Sequence, residues 1–132
     1  MTFAARIYAA LSANPAVLLT VGNRIYPLVR ARGDVLPAIV YQVITATPID
    51  ALGNTEYASD VLSVSCDATT YAGAQDLANV VTAVLDGFKY TNTAPFIFAC
   101  RLDSRAETSD NSGERAGATY RVTLDFILKT KG

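Results

Sequence analysis

At 132 residues the chain is long enough to bury a core without covalent staples, since a chain of this size removes about two thirds of its unfolded surface from water. Its formal net charge of −1 provides no overall field for a nucleic acid, and the absence of histidine removes the Ser-His triad and most transition-metal sites. Hydrophobic residues make up 51% and charged residues 17%, a balance that points to apolar surface covered by other subunits.

Phe3, Ile7, Tyr8 and Leu11 recur at helical spacing, with Ala4 beside them, and predict a short amphipathic helix over residues 3 to 12. Asn14 then reads as a cap and Pro15 as the first residue of a second helical turn, AVLLTV, which Gly22 stops. The stretch GNRIYPLVRARGDVL carries Pro27, Gly33 and scattered apolar residues, so it reads as an irregular connection. From Pro37 to Thr47 the period changes to two, and β-branched residues predict a central strand buried on both faces over Ile39 to Val43. Residues 48 to 57, with Gly53-Asn54, form a long loop. Asp60 to Ala68 is a half-buried strand, with Leu62, Val64 and Cys66 inward and Val61, Ser63, Ser65 and Asp67 outward.

Thr70 to Phe88 is the organising helix: Ala74, Leu77, Val80, Val81, Val84 and Leu85 share one broad face. Thr69 or Thr70 can cap its start, and Gly87 suits its end. A third strand, Pro95 to Asp103, alternates Phe96, Phe98, Cys100 and Leu102 against Ile97, Ala99, Arg101 and Asp103. Ser104 to Gly117 lacks large apolar residues and reads as a mobile hairpin tip. The last strand, Ala118 to Lys129, sends Tyr120, Val122, Leu124, Phe126 and Leu128 inward. Directly connected strands pair antiparallel, so the expectation is one α+β domain over residues 1 to 132. It is a two-layer sandwich of a mainly antiparallel four-stranded sheet with helices on one face.

Chemistry is sparse. Two lone cysteines, Cys66 and Cys100, sit in apolar alternation and read as buried free thiols, and neither a GxGxxG nor a phosphate-loop pattern occurs. No metal or cofactor is expected. No stretch reads as a bilayer span or a signal peptide, so the expectation is a soluble chain made in a cytoplasm, without a membrane partner. The uncovered sheet face brings Asp67, Asp103 and Asp125 together with Arg101 and Arg121. One reading is a coupled-carboxylate hydrolase or ligand-binding site, and the other is a ladder of cross-strand ion pairs. The second is favoured. Arg101, Arg121, Arg105, Arg115 and Lys129 could touch nucleic acid, but the interleaved aspartates dilute their field and no aromatic row offers stacking.

The segments RIYAALSAN, VGNRIYPLV, LPAIVYQVITATP, YAGAQDLANVVTAVLDGF and YRVTLDFIL, in that order, give the chain its resemblance to the phage tail completion family. These are the tail terminator or head-to-tail joining proteins of long-tailed phages and prophages. The resemblance spans Ile7 to Leu128 and implies a non-enzymatic structural protein of the virion tail and neck, assembled in the host cytoplasm. Such a protein forms a ring, typically hexameric, on the last tail-tube ring, stops tube growth and meets the head connector, with DNA only as passing cargo. A neck adaptor or minor tail protein is the alternative. On this reading Arg101, Arg121, Asp125, Asp103 and Asp67 belong to the ring seam or lumen. Partner contacts fall on the two loops, through Asp50, Asn54 and Glu56 in one and Arg105, Glu107, Asp110, Glu114 and Arg115 in the other. Charge reversal at Arg121 is expected to impair assembly and leave the isolated fold intact.

Overall fold

In the computed structural model, which describes residues 3–28, 36–48, 57–93, 96–110 and 119–131, the chain opens with α1 (Phe3–Ser12) and α2 (Pro15–Val21), bent by 85°. Asn14 makes the bend. Its Oδ1 accepts from the amides of Ala16 at 2.9 Å and Val17 at 3.3 Å, while Pro15 starts α2 where no amide is missed. Gly22, at φ 60°, ends α2. There follow β1 (Ile25–Pro27), β2 (Ala38–Pro48), β3 (Tyr57–Ala68), α3 (Tyr71–Leu85), β4 (Phe96–Asp110) and β5 (Thr119–Lys131).

The strands form one sheet in the order β1-β2-β3-β5-β4, antiparallel except for β1 beside β2, and the helices cover one of its faces. The two-layer α+β expectation therefore holds, with a fifth strand added. β1 escapes sequence reading because three residues cannot display an alternation; parallel pairing of Ile25 with Ile39 creates it. Beyond Ala38, which is buried, strand β2 is not enclosed on both faces: Ile39 and Tyr41 point into the core, whereas Gln42 and Ile44 on the other face are exposed. Its long β-branched run reflects an apolar row on the other face, described below.

The core lies between α3 and the sheet. Ala74, Leu77, Ala78, Val81 and Leu85 pack with Leu62, Val64 and Cys66 of β3 and Val122, Leu124, Phe126 and Leu128 of β5, and Ile7, Leu11, Val17 and Val21 close one end. Thr70 caps α3, its Oγ1 accepting from the Gly73 amide at 3.0 Å, and Gly87 takes the left-handed φ of 88° just beyond the helix. Both cysteines are free and enclosed. Burial pushes the Cys66 and Cys100 thiols up to about 12, with Asp67 and Asp86 adding to the shift respectively, so neither is a reactive thiolate.

Sequence periodicity misses Arg6, which is buried although it interrupts an apolar helix face. Its guanidinium lies 3.7 Å from the centre of the Tyr90 ring and donates to Thr93 Oγ1 at 2.9 Å and to the Thr93 carbonyl at 3.2 Å. It thereby ties α1 to the segment that follows α3.

Strand β4 departs most from expectation. It runs seven residues past Asp103, into the stretch read as a mobile tip, and two register shifts break its alternation, between Ile97 and Ala99 and between Leu102 and Ser104. The first shift puts Ile97, not Phe96 and Phe98, into the core; the two phenylalanine rings stack on each other at 6.0 Å instead. The second turns Arg105 and Glu107 toward the helices. Polar residues supply no apolar alternation here, so pairing with the apolar strand β5 decides the conformation.

Candidate interaction surface

The face without helices carries the residues singled out from the sequence, but it is less uniformly polar than expected. Ile44, Val61 and Ile127 stand in register across β2, β3 and β5 and form an apolar row, with Ile44 47% exposed. Beside it a concavity of about 340 Å³ is lined by Ala99, Arg101, Leu102, Asp103, Ile127 and Lys129. Lys129 donates to Ser59 Oγ at 3.3 Å, and Ser104 donates to Asp125 at 3.3 Å.

At the opposite end of this face Arg121 grips Asp67 with two bonds, Nε to Oδ1 at 2.7 Å and Nη2 to Oδ2 at 3.1 Å. The Asp67 side chain is fully enclosed, whereas Arg121 remains 45% exposed. This corrects the expectation that charge reversal at Arg121 spares the fold, because Arg121→Glu would place a second carboxylate beside an enclosed one. The three aspartates do not form one cluster. Asp67 pairs across from Arg121 while Asp125 pairs across from Ser63, four residues further along β3, which is about 13 Å away. Asp103 occupies the second bulge of β4, next to Ser104, which pairs with Asp125. Among the described residues no group of three or more His, Cys, Asp or Glu side chains is arranged to hold a metal ion.

The residues assigned to the second loop divide. Arg105 and Glu107 lie within β4 and reach α3: Arg105 donates to Asn79 Oδ1 at 2.9 Å and to Gln75, and Glu107 accepts from the Tyr71 hydroxyl at 2.8 Å and from Gln75 at 2.6 Å. The bond from Tyr71, followed by that from Gln75, holds the Glu107 carboxyl below the usual range, and the same bond raises the Tyr71 phenol. Tyr71 also meets Tyr120 edge to face at 6.3 Å, at the mouth of a concavity of about 220 Å³. Asp110 is the last residue of β4. Asp50, Asn54, Glu56, Glu114 and Arg115 lie outside the described residues.

This surface offers charge, a shallow apolar row and a long strand edge, which suit contact with other proteins. The sequence profile for tail completion protein gp17 matches residues 5–131. The chain belongs to this tail completion family. It is accordingly a structural protein of a phage-type virion, located in the tail and neck, and it interacts with other structural proteins of the particle. Its fold is similar to that of a chain in the solved "Virion of native gene transfer agent (GTA) particle", with a TM-score of 0.63 and 21% identity over 96% of this chain and 92% of that one. No protein of curated function matches the chain.

Proposed function

We propose that this tail completion protein forms a homo-oligomeric, hexameric ring on the head-proximal end of a long tail. The ring ends growth of the tail tube and joins the tail to the head connector, and it works without enzymatic activity. The reading is supported above all by the family match, which runs through nearly the whole chain, and the helix-free face offers what a repeated head-to-tail contact requires. In the proposed ring Arg101, Asp103, Asp125 and Arg121 lie at the seam or lumen, with Asp67 setting the orientation of Arg121. Asp50, Asn54, Glu56, Glu114 and Arg115 lie toward the tube and connector, and DNA passes through the lumen as cargo. Cryo-electron microscopy of isolated tails tests this directly: it should show one ring of six copies between the last tube ring and the neck. A copy found elsewhere in the particle, or a different symmetry, would refute it.

A further inference from the structure

The outer edge of β4 is sealed along only half its length. Tyr90 and Ile97 exchange two main-chain bonds of 2.8 Å, the Gly87 amide donates to the Cys100 carbonyl at 2.7 Å, and the Leu102 amide donates to Asp86 Oδ1 at 3.1 Å. The last bond points away from β5, so Leu102 and Phe126 are a pair that exchanges no ladder bonds, and the alternation of antiparallel pairing fixes the rest. Ser104, Ala106 and Thr108 bond to β5, while the main-chain groups of Arg105, Glu107 and Ser109 face outward. These outward groups have no hydrogen-bond partner among the described residues. Among the described residues, the part of the edge beyond Asp86–Phe88 is therefore an open template for a strand.

The side chains along this template identify its occupant. If a second copy pairs antiparallel about a two-fold axis through Ala106, Arg105 of each copy stands opposite Glu107 of the other, and Ser104 stands opposite Thr108. The register centred on Glu107 sets two carboxylates face to face, and the one centred on Arg105 opposes two guanidinium groups. Of these three registers only the Ala106-centred one is charge-complementary, and it places a small residue on the axis. A register centred on Ser104 would also oppose Asp103 to Arg105, but it runs into the stretch already occupied by Asp86 and Gly87. Both side chains also bond to α3, Glu107 to Tyr71 and Gln75 and Arg105 to Asn79 and Gln75, while α3 packs mainly on β5 and β3, and the outward main-chain groups of β4 take no part in these contacts.

We propose that a second copy of this chain docks on the open edge of β4, antiparallel and centred on Ala106. The contact is held by four main-chain hydrogen bonds and two reciprocal Arg105–Glu107 pairs. A two-fold contact closes on itself, so it yields a dimer distinct from the head-to-tail seam of a ring, and it does not depend on that reading. The overlap is short, so the dimer is a weak one that forms at high concentration.

Disulfide trapping tests the register. Directly opposed residues that exchange no ladder bonds have Cα atoms about 4.5 Å apart, within disulfide range. The two native thiols are buried and do not compete. Under oxidised glutathione, the full chain carrying Ala106→Cys should form a covalent dimer about tenfold faster than Thr108→Cys. Adding Glu107→Arg should slow trapping by a similar factor, and the charge swap Arg105→Glu with Glu107→Arg should restore it. Equal rates for the two cysteine variants, or no rescue by the swap in variants that keep the native circular dichroism, would overturn the proposal.

Discussion

Arg121 illustrates how one side chain can serve both folding and surface. Its guanidinium neutralises the enclosed Asp67 through two bonds, while nearly half of the side chain faces solvent. Removing a partner of an enclosed charge costs more than removing an exposed charge, because water cannot replace the lost contact. Arg121→Ala should therefore lower unfolding free energy by about 2 kcal/mol, whereas Arg101→Ala, at an exposed position, should change it by less than about 0.5 kcal/mol. Urea denaturation checks both, and equal midpoints would show that the Asp67 contact contributes nothing. Arg101 is consequently the cleaner residue for charge-reversal tests of assembly.

Among the elements, those legible in the sequence carry their own periodicity. α3 repeats its apolar positions over four turns, and β3 and β5 alternate without error, so their inward faces agree with the structure. β1, the distal half of β4 and the buried Arg6 were illegible for one reason: each is fixed by a partner distant in sequence. A bulge shifts the phase by one residue, and nothing local distinguishes SRAETSD as a strand from a loop until β5 is alongside. The interaction surface was legible as a set of charged residues, whereas its apolar row needed the register of three strands. Local rules can also compete within one element. Gly73 lies in the first turn of α3, where alanine would gain about 1 kcal/mol of helix propensity. A Cβ there would lie 2.8 Å from Thr70 Oγ1, the atom that accepts the Gly73 amide, so the substitution displaces the cap. Losing the cap costs about 1 kcal/mol, and the forced movement adds to it. Gly73→Ala should thus melt below the parent protein, and adding Thr70→Ala should cost less in that background than in the parent. A higher melting temperature would show that propensity outweighs the cap.

At the scale of the whole molecule, the helices and the core occupy one side, and the other side offers a mixed charged and apolar face ending in a long strand. That division suits a subunit that must hold its own fold and still present repeated contacts to neighbours. The proposed role makes its strongest demand on the particle and not on the isolated chain. Electron microscopy of particles made from the parent genome with an early stop codon in this gene tests it most directly. The account predicts over-long tails separated from filled heads, and restoration of normal joined particles when the gene is supplied in trans. Tails of normal length, with or without heads attached, would contradict it.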